Sequence, residues 1–253
     1  MHSLNKKFAI EVAVDTFEQA VSASKQGATR LELCAALSEG GLTPPSSLMI
    51  SVNRKINIPV HVMIRPRRGD FLYSDAEFEQ MQMDIVNAKS SGAKGVVFGI
   101  LDSKGDIDKE RMGMLVKLSK PMKVTCHRAF DMVAEPFVAM ESLIGIGVDY
   151  ILTSGGSQTA EDGFEVISEL AKRALGRIVI MAGSGINPSN ATLIAGTGVN
   201  DLHFTCRKSV QSSMSHKNFA LGSMGSATGL TEYEIEIFDH DKFNGIRDAL
   251  SRL

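Results

Sequence analysis

The sequence predicts a closed (β/α)8 barrel of the TIM type, a single domain spanning residues 1–253. Three observations predict it. The chain has 253 residues, close to the roughly 250 of one eight-unit barrel. Short apolar runs alternate with amphipathic stretches about eight times at a spacing near 30 residues, the signature of parallel strands joined by crossover helices. Finally, polar and charged residues recur near the same end of each apolar run. Strands buried on both faces read as continuous apolar runs, so a charge repeated at their ends needs a reason. In a parallel barrel those ends converge on one mouth, where active sites of this fold are built.

Strands are expected near residues 8–13, 29–34, 60–65, 95–100, 123–128, 149–154, 178–183 and 201–206. Asp15 and Glu18 read as a D-x-x-E helix start with Gly27 as its stop. Ser74 and Glu77 repeat the pattern ahead of Phe78, Met81 and Ile85, and Gly92 ends that helix. Pro136 suits the first turn of a helix. Asn187-Pro188 reads as an N-cap followed by proline, and 163–175 and 241–253 are further amphipathic stretches. A doubly wound dinucleotide fold is disfavoured because the first turn, Ala13-Val14-Asp15-Thr16, has no glycine. Residues 207–238 are too long for an ordinary connection. They are expected to form a loop after strand eight, over the mouth or at an interface, ending in an extended piece.

Composition narrows the function classes. A formal charge of −2 offers no basic field for nucleic acid. No apolar run approaches the ~18 residues of a membrane span, and Met1–Lys7 carries no signal-like apolar region. Three cysteines without paired spacing argue against a disulfide framework. A cytoplasmic protein is expected.

Glu11 and Glu32 lie on neighbouring strands, whose ~4.8 Å spacing brings their carboxylates close. Such a pair suits acid/base work or metal binding. Arg65 and Arg128 end strands across the mouth, and His127 and His203 are acid/base candidates, whereas His61 reads as a deeper core histidine. Glycine-rich ends of two strands, Thr153-Ser154-Gly155-Gly156 and Gly183-Ser184-Gly185, offer backbone N–H groups for a phosphate or carboxylate. Cys34 shares its face with Glu32, while Cys126 and Cys206 are out of phase with His127 and His203 and belong under the helices. No C-x-x-C occurs. Met81/Met83 and Met112/Met114 diverge on helices, so soft-metal binding gains little from methionine. No lysine ends a strand, which disfavours Schiff-base chemistry.

Five segments in order resemble the CutC family of copper homeostasis proteins: Leu33–Pro44, His61–Phe71, Cys126–Asp131, Thr153–Gly156 and Ala182–Ile186. The resemblance covers about residue 8 to the C-terminal helix. It implies a TIM-type barrel, a cytoplasmic location, self-association with a dimer as the simplest form, and a role in copper tolerance or trafficking. Cys34 and Cys126 stand in the matching motifs and become the Cu(I) candidates, with Cys206 a weaker one. The motif residues themselves are Glu, Arg, His, Ser and Gly, a toolkit closer to an enzyme than to a thiolate carrier. Two ligands are therefore expected in competition: a copper ion, or a small phosphorylated or carboxylated substrate.

Overall fold

Eight parallel strands pair in sequence order, and the first closes the circle by pairing with both the second and the eighth. The computed structural model describes residues 8–218 and 231–253. The strands are β1 Ala9–Val14, β2 Arg30–Leu33, β3 Val60–Met63, β4 Gly95–Phe98, β5 Lys123–Cys126, β6 Tyr150–Thr153, β7 Val179–Gly183 and β8 Asp201–Phe204. Helices α1 Phe17–Gln26, α2 Ser46–Lys55, α3 Asp75–Ser90, α4 Lys109–Ser119, α5 Pro136–Ile146, α6 Phe164–Ala174, α7 Ala191–Ala195 and α8 His240–Leu250 complete the units. The expected TIM barrel is the observed fold.

Local chemistry explains most boundaries. Ser74 and Glu77 form a reciprocal capping box at α3, which satisfies two donors that the first turn would leave free. Gly27 ends α1 in a left-handed conformation at φ 101°. Two expected starts are displaced. Thr16, not Asp15, caps α1 by accepting from the Gln19 N–H, while the Asp15 carboxylate turns to the Leu37 N–H. The Asn187 side chain accepts from Ser189 and Asn190 in a separate turn, so α7 begins only after Asn190.

The apolar core lies between the barrel wall and its helices, where Val12, Leu31, Val62, Phe98, Leu115 and Leu170 are fully buried. Inside the wall the side chains are mostly polar. Glu11, Arg30, His61, Thr125 and Asp201 are buried there, where branched aliphatic layers usually fill such a barrel. Bulk is accommodated by glycine. A Cβ on Gly95 would stand 2.4 Å from the His61 ring, and one on Gly99 2.8 Å from His127 Nδ1.

The segment read as a loop over 207–238 contains two strands. β9 Arg207–Gln211 pairs antiparallel with β10 Glu234–Phe238, and Gln19 of α1 donates to the Glu236 carbonyl. The ribbon thus lies against α1, and the remainder of the expected lid, 219–230, lies outside the described residues. Alternating polar and apolar residues in 234–238 are what a half-exposed strand requires. No helix among the described residues is long and apolar enough to cross a membrane.

Backbone packs on backbone where β6 meets α6. A Cβ on Gly163 would fall 1.9 Å from the Ser154 carbonyl oxygen, whereas one on Gly113, inside α4, meets nothing within 4 Å. Gly163→Ala is expected to cost about 3 kcal/mol and Gly113→Ala to add up to about 1 kcal/mol, both read from urea unfolding midpoints.

Candidate functional site

The deepest polar group is an ion cluster around Arg30. Its Nε donates to Glu11 Oε2, and its Nη2 reaches Asp201 Oδ2 at 2.9 Å and Met181 Sδ at 3.1 Å. The guanidinium lies 4.6 Å from the centre of the Tyr150 ring. Glu11 is fully buried, and its second oxygen is 2.8 Å from His203 Nδ1. Burial alone would push the Glu11 carboxyl up, but Arg30 and His203 outweigh it and hold the group below the usual carboxylate range. His61 sits 3.9 Å from Glu11. Burial carries its pKa down to about 4 despite that carboxylate, so it is a neutral core histidine, as its position in the strand implies.

One layer higher, Glu32 stands between His203 and Cys34. His203 Nε2 is 3.8 Å from Glu32 Oε2, and the Cys34 thiol donates to the same oxygen at 3.4 Å. Oε1 of Glu32 is buried without a hydrogen-bond partner. Burial and the neighbouring Glu11 charge raise the Glu32 carboxyl, with His203 opposing. Burial works against the His203 imidazolium, yet Glu32 and Glu11 raise it above its ordinary value. Both groups therefore hold a proton more tightly than they would in water.

Glu32 and His203 line an open cleft of about 170 Å³ together with Leu37, Met63, Arg65, Phe71, His127, Arg128, Leu152 and Thr205. That size suits a small molecule. Arg65 is buried and gives its Nη groups to the carbonyls of Glu39, Gly41 and Gly69; no carboxylate among the described residues pairs with it. Its guanidinium lies 5.1 Å from the Phe71 ring, which packs against His127 at 4.8 Å. His127 Nδ1 accepts the Ala129 N–H at 3.2 Å, so Nε2 carries the ring proton. Burial, with Arg65 nearby, drives the His127 pKa down to about 3. His127 is a fixed neutral donor, not a base.

The expected anion cradle is half filled from within. Asp131 accepts from the Ser154 and Gly156 N–H groups and from the Thr153 and Ser154 hydroxyls, and Gly155 N–H turns to Thr153 Oγ1. Thr153, Ser154 and Gly156 thus hold an internal carboxylate where a ligand phosphate was expected, and Gly155 bonds within the turn. Asp131 also fixes Arg128 through Nε at 2.7 Å, leaving Arg128 Nη1 at 3.4 Å from Ser184 Oγ. Gly183 closes β7, and Ser184 and Gly185 follow at φ 80° and 74°.

Residues 8–208 match the CutC family. The chain belongs to that family. A copper homeostasis protein cutC homolog of Homo sapiens is 44% identical over 236 residues, covering 93% of this chain and 86% of its own length. A CutC family protein of Bacteroides fragilis is 45% identical over 232 residues, covering 90% of this chain and 92% of its own. The crystal structure of CutC from Streptococcus agalactiae superposes with a TM-score of 0.75 at 31% identity, covering 78% of this chain and 98% of that one. A thiamine phosphate pyrophosphorylase from Pyrococcus furiosus, at 15% identity and a TM-score of 0.59, shares the fold alone.

The family name makes the cysteines worth testing against the geometry. All three are buried and free. Cys34 packs with Met63, Val97 and Leu37 inside the barrel, whereas Cys126 and Cys206 belong to the outer core. Thr125, the residue before Cys126, faces inward to His61, so Cys126 faces the helices. Cys34 and Cys126 therefore cannot share an ion, as strand parity implies. Burial pushes the Cys126 thiol up to about 12, and burial with Glu32 raises Cys34 well above its ordinary range. Among the described residues, the one cluster of three or more possible His, Cys or carboxylate metal donors is Glu11, Glu32 and His203, mutually within 4.8 Å. Carboxylate and imidazole suit a borderline divalent ion better than Cu(I), which selects sulfur.

Three members of the site escaped sequence reading. Arg30 and Asp201 were legible by parity, since Arg30 is two residues before Glu32 and Asp201 two before His203, but they sit at strand starts. Asp131 lies in a short 3-10 helix, Arg128–Met132, after β5, where the strand alternation does not apply.

His61 and His127 stay neutral in the folded chain but would protonate below about pH 6.5 once unfolded. Their contribution is complete above that pH and is lost as acid is added, by about 1.4 kcal/mol per pH unit for each. His127→Asn should remove one such increment from the slope of unfolding free energy between pH 6 and 4. An unchanged slope would contradict a neutral His127.

Proposed function

We propose that this CutC-family chain is a barrel-mouth enzyme that moves a proton on a small anionic organic compound. The observation that carries this reading is the Glu11–His203–Glu32 relay ending in a buried Glu32 oxygen at the wall of the cleft. Arg30 keeps Glu11 ionised, and Glu11 orients His203 through Nδ1. His203 Nε2, 3.8 Å from Glu32 Oε2, then stabilises the Glu32 carboxylate whenever it has given up its proton, an arrangement that suits general acid–base catalysis. Arg65 and Arg128, with the Ser184–Gly185 turn, supply the field for an anionic group. Glu11 lies beneath the cleft and acts as a positioning residue. Free buried cysteines fit a reducing compartment, consistent with a cytoplasmic protein. Exposed Ile235 and Ile237 on the ribbon offer apolar area for self-association as a dimer.

The test is solvent exchange. Small carboxylates and phosphate esters are incubated in D2O with the protein and followed by proton NMR. Loss of a carbon-bound proton signal is expected with the wild type and a drop of at least about 100-fold with Glu32→Gln. Exchange that survives in Glu32→Gln, or that no compound shows, sinks the proposal.

A second reading, Cu(I) capture, has its own observation. The Cys34 thiol already donates to Glu32, a base positioned to take its proton, and Met63 packs beside it. One sulfur thiolate with one thioether is a thin donor set for Cu(I), which places this reading second. It predicts that one equivalent of Cu(I) is taken from a chromophoric chelator without oxygen and that Cys34→Ser abolishes the uptake. No competition by the wild type would detach copper from this site.

A further inference from the structure

Seven buried side-chain nitrogen or oxygen atoms among the described residues lack a hydrogen-bond partner, and three of them, Glu32 Oε1, Arg65 Nε and His127 Nε2, belong to residues lining the same cleft. Each such atom costs about 1–3 kcal/mol while unanswered, so three at one cleft describe the ligand that answers them. All three side chains are more than nine-tenths buried. Their polarities differ. Arg65 Nε and His127 Nε2 are donors, the latter because Nδ1 is committed to the Ala129 N–H. Both need acceptors, and the Arg65 charge, met by three main-chain carbonyls and the neighbouring Tyr73 hydroxyl but by no carboxylate among the described residues, needs a negative one. Glu32 sits across from them with an oxygen that accepts when ionised and can donate when protonated. A hydroxyl is the simple group that satisfies either state.

Resting on the acid–base reading above, we propose that the cleft binds a small 2-hydroxy carboxylate, with its carboxylate on Arg65 and His127 and its hydroxyl on Glu32. Glu32 on β2 is level with His61 of β3, and Arg65 follows the end of β3 by two residues, so the two side chains enter the cleft from neighbouring units at different heights. A cleft of about 170 Å³ favours a short compound, in which the hydroxyl and carboxylate sit on adjoining carbons. Leu37, Met63, Phe71 and Leu152 leave an apolar surface for a short carbon chain.

The probes are glycolate, methoxyacetate and acetate, titrated into the full chain and followed by NMR of the Arg65 Nε–H and His127 Nε2–H signals. Glycolate offers the hydroxyl, methoxyacetate only an ether acceptor, and acetate neither. Glycolate is expected to bind about tenfold more tightly than the other two, the worth of one good hydrogen bond, and to shift both ring and guanidinium signals. His127→Leu should lower that affinity about tenfold, and His127→Asn, which restores a donor, should recover part of it. Arg65→Met should lose binding of all three. Because that variant also gives up three loop contacts, the comparison of probes on the wild type stands as the independent measurement. Equal affinity for glycolate and acetate overturns the proposal, as does glycolate binding that leaves His127 and Arg65 unmoved or no glycolate binding at all. Exchange of a compound lacking the hydroxyl would remove this inference and leave the acid–base reading in place.

Discussion

Arg30 holds this barrel's interior together. Its guanidinium meets Glu11, Asp201 and Met181 and covers Tyr150, so one side chain on β2 ties together β1, β6, β7 and β8. A buried ion cluster is rarely a source of net stability, because desolvating each charge cancels much of the attraction; removing one partner, however, strands the others at a cost of about 3–5 kcal/mol. The interior is thus committed to its full set of charges. Glu11 stays ionised because Arg30 is there, and His203 is oriented because Glu11 is ionised. The carboxyl of Glu32, one layer up and facing only His203, is left with a raised affinity for protons.

Room for that network comes from glycine. Imidazole rings of His61 and His127 occupy space that a Cβ on Gly95 or Gly99 would claim, so polar rings replace the aliphatic layers usual in this fold. The same economy appears at the end of β6, where Asp131 fills the backbone nest formed by Ser154 and Gly156. That carboxylate does what a bound phosphate does elsewhere, satisfying N–H groups and neutralising an arginine. Its consequence is that the glycine-rich loop after β6 is already occupied by a carboxylate of the chain itself.

The family's copper name and the geometry meet only partly. The cysteine that faces inward, Cys34, touches the functional carboxylate; the other two lie across the wall among apolar side chains. A thiol donating to Glu32 tunes that carboxylate whether or not it ever binds a metal. The acid–base and the copper proposals therefore both involve Glu32.

The sequence by itself determined the barrel, its strand boundaries to within a few residues, and the face on which each candidate lies. These properties are local: a strand alternates with period two and a helix with period 3.6, so Cys34 could be placed inside and Cys126 outside from their neighbours alone. Caps were mostly legible for the same reason, with Ser74–Glu77 read correctly and the Asp15 start lost to Thr16, one residue away. Only the tertiary structure decided which inward groups meet. Arg30 and Asp201 are 171 residues apart, and His203 and Glu11 are 192 apart. Their contact depends on the register and closure of the whole sheet, which no local pattern encodes. The same holds for the unanswered atoms of Glu32, Arg65 and His127. An unpaired donor is defined by everything packed around it, and that exists only once the barrel has closed.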